Sequence, residues 1–425
     1  MPDASRTTPR WVAKLVVVTA LVGISGGVAG IGVYVALHVI QVVAFGFPWH
    51  TSAEAADNSS AIGRFLGLAA AGVIAGPAWW ALRRFGKPIV SVQKAVAGTR
   101  MHGLVTVANA GVQILSVGLG ASIGKEVAPR EVAAWLAQVV TERAGLSKRE
   151  ARILIACGAA SGLAAVYDVP LGGALFTLEV LLGELTFAAA LPAFATNAIA
   201  AFVARLVVPV DTLYAVPHMT MSASLVAWSI VVGPVLGIAG VGFSRLTGRM
   251  QNIAPRRSGV LLSVPIVFAI VGLIAVAFPS VMGNGRAMGL VAMNERLGDP
   301  SVLGLAPIVL MLVLALAKTV TTTATIGAGA VGGTLTPSIA IGSASGAFLG
   351  GLWLLFWPGS GLAAFAFIGA AAFLATTMRA PFTALALVAE FTNQGTQIFI
   401  PAMLAVSGAV AVSYVIGRRR LAGVE

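Results

Sequence analysis

Two stretches of this chain carry no Asp, Glu, Lys or Arg at all: residues 15–53, and the long run from Thr319 to Met378. Runs of this length exceed the roughly 20 apolar residues that a helix needs to cross a bilayer. In lipid every backbone polar group must be satisfied internally, so a spanning segment is a helix or part of a closed barrel. Barrel strands alternate apolar and polar residues in short segments, and these runs do not alternate. The fold class that follows is an all-α polytopic membrane protein. Composition agrees, with 58% hydrophobic and 10% charged residues over 425 positions, where soluble domains carry roughly 25% charged.

The formal net charge is +12, concentrated in short clusters at Arg83–Arg84, Arg256–Arg257 and Arg418–Arg420. Between apolar spans such clusters are topology signals. No basic face with interleaved aromatics exists to bind nucleic acid, and no nucleic-acid partner is expected. His38, His50, His102 and His218 are scattered without metal-ligand spacing, and no cluster combines nucleophile, base and metal ligand. The sequence therefore implies neither an enzyme, nor a metal site, nor a cofactor. The lone Cys157 is expected to pack as a small residue. The apolar first span follows "MPDASRTTPRWVAK" without a cleavage signature, which predicts an uncleaved first helix. The localisation expected is multi-pass, in the plasma (inner) membrane, with membrane lipid as a partner.

The apolar spans fall at 12–43, 61–83, 102–120, 126–142, 150–165 and 169–208. They continue at 222–248, 258–280, 302–323, 332–356, 360–377, 380–391 and 396–416. Some are too short to cross fully, and 169–208 is long enough to cross at a strong tilt. "CGAASGLAAVYDVPLGGALFTLE" (157–179) resembles "IGAAAFLATTMRAPFTALALVAE" (368–390) at a constant offset of 211. Upstream, "GASIGKEVAP" (120–129) matches "GAGAVGGTLTP" (327–337). Two motif pairs in the same order define an internal repeat. The expected organisation is a single membrane domain, 1–425, with a first repeat at 11–208, a linker at 209–221, a second repeat at 222–416 and a short tail at 417–425. Repeats joined by an odd number of spans sit inverted in the membrane, with the substrate site between them near the midplane.

Each half has a Gly-rich turn followed by a helix, "GKEVAP" and "GGTLTP". A helix start offers unpaired N–H donors and a partial positive charge, so two such starts at membrane depth form an anion site. The plainer alternative is a pair of ordinary broken helices. Glu126 stands at the first of these starts, where a carboxylate acts as a tethered anion that protonation or movement releases. Lys125 raises the local potential for anions or pairs with a nearby carboxylate such as Glu131.

The motif set resembles the CLC family of chloride channels and proton-coupled chloride exchangers, whose motifs run GSGIP, G(K/R)EGP, GxFxP. "GKEVAP" (124–129) matches the second and "GGTLTP" (332–337) the third, with Leu335 in place of Phe. "KTVTTTATIGAGAVGGTLTP" (318–337), "SVMGNGRAMGL" (280–290) and "VPLGGALFTLE" (169–179) extend the agreement over nearly the whole chain. The resemblance implies the CLC fold of two inverted repeats of tilted and discontinuous helices, and a homodimer with one pore per subunit. It implies Glu126 as the gating glutamate, and anion-binding backbone near Lys87, Pro88, Ile89, Val127, Thr334 and Leu335.

The departures limit what carries over. "GKPIVSVQKAV" (86–96) stands where GSGIP belongs, so the family's coordinating Ser aligns with Lys87, or with Pro88, a residue associated with nitrate preference. Family exchangers often place an inner glutamate where this chain has Val180, leaving Glu179 and Glu184 as the candidates for a proton path. The family's inner-gate Tyr falls near Ala422. The resulting expectation is chloride, or a related monovalent anion, carried in a channel-like or weakly proton-coupled way. The alternative is a strict proton/chloride (or nitrate) antiporter of the same fold.

Overall fold

Val, Leu, Ile, Ala and Gly dominate the apolar spans, and in a computed structural model describing residues 8–46, 59–209, 213–293 and 305–421 they form helices. In chain order these are α1 (Pro9–Phe45), α2 (Ala61–Phe85), α3 (Val92–Val96), α4 (Gly103–Gly118), α5 (Val127–Arg143), α6 (Lys148–Tyr167), α7 (Pro170–Leu175) and α8 (Phe187–Arg205). They continue as α9 (Ala223–Ile253), α10 (Val260–Ala277), α11 (Arg286–Met293), α12 (Leu305–Gly327), α13 (Leu335–Leu354), α14 (Leu362–Met378), α15 (Pro381–Thr392) and α16 (Phe399–Leu421). Among the described residues nine helices are long and apolar enough to cross a membrane, and β-structure is confined to one isolated bridge, Gly124 with Gly333. The protein is a multi-pass integral membrane protein.

The chain divides into two compact units: 1–35, 87–111 and 127–211 in the first, and 36–86, 112–126 and 212–425 in the second. In the first, α6 is clamped by its small residues. A side chain at Gly162 would strike the Pro129 carbonyl of α5, and one at Gly158 would strike Ala137. The α6 N-terminus carries a full capping box, Ser147 with Glu150, and Trp11 of α1 donates its indole N–H to Glu150 at 2.8 Å.

In the second unit the closest crossings are again backbone to backbone, as expected where lipid leaves no hydrophobic force between helices. Gly342 and Gly346 of α13 meet Gly369 of α14, and Gly233 and Gly237 of α9 lie against Ala405 and Ala409 of α16. Trp228 and Phe365, both buried, pack edge to face at 4.9 Å.

The sequence repeat is reproduced in local conformation. Asp168 after α6 and Arg379 after α14 both cap in the left-handed region at φ 56°. Each cap N–H returns to an equivalent carbonyl, Ala164 or Ala375, and each is followed two residues later by a proline that opens a helix. One expectation fails. The 169–208 span is not a single tilted helix: α7 passes into a π-helical turn over Phe176–Leu182, then stops at Gly183, in the left-handed region at φ 68°. Gly183 and Glu184 both donate to the Leu178 carbonyl, which ends the helix before α8 begins. The repeat mate of this segment, α15, stays α-helical.

Candidate functional site

The Gly-rich stretch between α4 and α5 buries three polar side chains, Ser122, Lys125 and Glu126. Gly120, at φ 105°, turns the chain and accepts a hydrogen bond from the Gly283 N–H at 2.9 Å. Two residues on, the Ser122 hydroxyl meets Thr321 Oγ1 at 2.9 Å and Thr322 Oγ1 at 3.3 Å. Gly124 and Gly333 then exchange backbone hydrogen bonds of 2.8 and 2.9 Å, joining the two Gly-rich loops as a one-residue bridge. Lys318, fully buried on α12, donates to the carbonyls of Val281 and Gly283 at 2.8 Å and of Met282 at 3.5 Å. It thereby holds the turn on which Gly120 rests. A buried ammonium is costly without such partners.

This scaffold delivers Glu126. Its carboxylate is fully buried; Oε1 accepts the Leu335 N–H at 2.7 Å and Oε2 accepts the Thr336 hydroxyl at 3.3 Å. Leu335 is the first residue of α13, and its N-cap, Thr334, provides no side-chain cap. The glutamate thus serves as the missing cap, a negative charge at a positive helix end. Gly124 and Gly333 leave room for it: a Cβ at either would overlap the Glu126 carboxylate. Lys125 is buried beside it, within electrostatic reach of Glu126 and Arg286.

The family profile of the voltage-gated chloride channels matches residues 67–414. The chain belongs to the CLC family. It is 27% identical over 394 residues, covering 90% of this chain and 91% of the relative, to a voltage-gated ClC-type chloride channel, ClcB, of Citrobacter koseri. Its fold is similar to that of a slow cyanobacterial Cl−/H+ antiporter, at a TM-score of 0.77 and 19% identity over 95% of each chain. A CLC-type fluoride/proton antiporter matches at 0.74 and 19% identity, over 96% of this chain and 97% of that one. The fold is the CLC fold, and the function class is CLC-family chloride transport rather than catalysis.

Of the residues expected at the CLC anion site, Glu126, Lys125, Thr334 and Leu335 lie together in the second unit. Lys87, Pro88, Ile89 and Val127 belong to the first. There Lys87 and Pro88 are exposed in an irregular segment before the five-residue α3, Ile89 is half-buried, and Val127 opens α5. Pro88 has no N–H to offer an anion, so Lys87 and Ile89 carry the donors of that segment. Glu179 sits half-buried inside the π-helical turn, and Glu184, also half-buried, follows its end. Ala422 lies outside the described residues. Cys157 is fully buried, and no group of three metal-ligating side chains occurs among the described residues. Thr336, Ser122 and Lys318 were missed as site-building residues. Each stands inside or beside a quoted motif, but nothing in one dimension aims Thr336 at Glu126 or Lys318 at a turn 35 residues away.

Proposed function

We propose that this CLC protein moves chloride, or a related monovalent anion, past Glu126, whose carboxylate competes with the anion for the start of α13. The observation that carries this is the Leu335 N–H bound to Glu126 Oε1. A carboxylate there satisfies the same donors that a halide needs, and two negative charges cannot share one helix end. Protonating Glu126 removes its charge and weakens its hold on the N–H, so the anion takes its place. Backbone and hydroxyl donors hold an anion more weakly than a full cation would, which suits a site that must also release. The proposed site comprises Glu126, Thr334, Leu335 and Thr336, with Lys125 raising the local potential.

Transport is channel-like or only weakly coupled to protons, because Val180 leaves the inner glutamate position apolar. One observation favours the second mode, a strict antiporter. Glu179 occupies a π-helical turn while its repeat mate Glu390 lies in a regular helix, and π-turns recur at functional sites. The family resemblance further supports a homodimer with one pore per subunit.

Reconstitution in liposomes with simultaneous recording of anion and proton movement separates the modes. Uphill proton transport driven by a chloride gradient refutes the channel-like mode. Glu126→Gln is expected to abolish the rise of anion flux at low pH; flux and pH dependence equal to wild type refute the gate.

A further inference from the structure

A cavity of about 650 Å³ opens within the second unit where α9, α14 and α16 approach their C-terminal ends. Its walls present two guanidiniums, Arg245 and Arg379, with the hydroxyls of Ser244, Thr376, Ser413 and Tyr414, and no carboxylate. Among the described residues neither guanidinium has a hydrogen-bond or ion-pair partner. Arg379 is the C-cap of α14, so the negative helix end accounts for its charge. That explanation does not reach Arg245, which is half-buried in the body of α9, well before that helix ends at Ile253. A guanidinium that merely snorkels keeps its head in water. This one lies in a concave wall, with its planar fork of donors unspent.

The surroundings specify what fits. Arg245 and Arg249 lie in the C-terminal third of α9, Arg256 and Arg257 follow its end, and Arg379 caps α14. By the positive-inside rule the cavity faces the cytoplasmic leaflet. α9 exposes Val235 and Ile238, and α16 exposes Tyr414 and Val415, apolar side chains of the kind that meet lipid chains and an aromatic suited to the headgroup level. Basic pockets between membrane helices on this side suit phosphate headgroups, and the volume lies in the range of small-molecule sites.

We infer that this cavity binds the phosphate headgroup of an anionic phospholipid of the cytoplasmic leaflet, with Arg245 and Arg379 on the phosphate and the hydroxyls on the glycerol.

Thermal unfolding of the detergent-solubilised full chain tests it, using dioctanoyl phosphatidylglycerol, dioctanoyl phosphatidylcholine and inorganic phosphate as probes. Ligands that bind only the folded state raise the midpoint by mass action. Phosphatidylglycerol is expected to raise it saturably, and the other two probes are not. Arg245→Gln with Arg379→Gln is expected to weaken that response at least tenfold in concentration, while Arg245→Lys with Arg379→Lys retains most of it. Should the glutamine pair fail to fold, Ser413→Trp, which fills the cavity and keeps both charges, is expected to give the same tenfold loss. An equal response to phosphatidylcholine, an equal response to free phosphate, or an unchanged phosphatidylglycerol response in the glutamine pair or in Ser413→Trp overturns the proposal.

Discussion

Gly333→Ala isolates the gate without touching it. The new methyl group would occupy the space of the Glu126 carboxylate, overlapping Oε1 and Cδ. Gly333 does not adopt a positive φ, so alanine is tolerated by the backbone. The far end of a flexible side chain yields before the loop does. What is lost is the 2.7 Å bond from Leu335, a hydrogen bond to a charged group worth about 1.5–3 kcal/mol. At about 1.4 kcal/mol per decade, that shifts the balance between tethered carboxylate and anion by roughly 10- to 150-fold toward the anion. In liposomes at neutral pH the variant should pass anions faster than wild type and respond less to acidification. In a Glu126→Ala background the same substitution should add no further flux, since its effect acts through the carboxylate. Wild-type flux and pH dependence in Gly333→Ala would refute the competition argument. Loss of flux in the Glu126→Ala background would show that the methyl group itself blocks the path.

Two further outcomes concern the scaffold. Lys318→Met removes the ammonium that binds three carbonyls of the 281–283 turn. It should cost about 1.5–3 kcal/mol, read as a lowered thermal midpoint in detergent, with Gly120 and the gate loop loosened in hydrogen exchange. Gly346→Val forces a side chain into the Phe365 carbonyl of α14. Overpacking of about 1–3 kcal/mol should lower the midpoint further than the same change at Gly242, where a Cβ meets nothing.

The proposed anion site was readable wherever chemistry contradicted composition. A carboxylate at Glu126 inside an apolar chain, placed at a glycine turn and echoed at 332–337, leaves few physical roles, and the structure shows it bound at the start of α13. The internal repeat was equally visible, because prolines and glycines punctuate both copies at fixed spacing. What was hidden depends on the third dimension. Hydropathy does not locate the break of 169–208 at Gly183, because what ends the helix is a left-handed glycine and two backbone N–H groups on one carbonyl. The π-turn around Glu179 is invisible for the same reason: its residues are as apolar as those of α15. Lys318 could be noticed as a charge beside a long uncharged run, yet its partners are backbone oxygens, which carry no signal in a sequence. The compact units draw on three separate stretches each, whereas similarity between halves records only their common pattern.

The bridge between Gly124 and Gly333 has one more consequence. It pairs positions separated by 209 residues, and the same separation relates Glu126 to Leu335, the residue whose N–H it binds. In the motif alignment of GKEVAP with GGTLTP the offset is 208, so Glu126 corresponds to Thr334 and its carboxylate reaches the residue after its own counterpart. A duplication that kept glutamate in both would set two carboxylates at one place, repelling each other and sharing a proton. One that kept threonine in both would leave two open helix starts and no stopper. Because only the first copy carries a glutamate there, one loop supplies the acceptor and the other supplies the uncapped helix start that receives it.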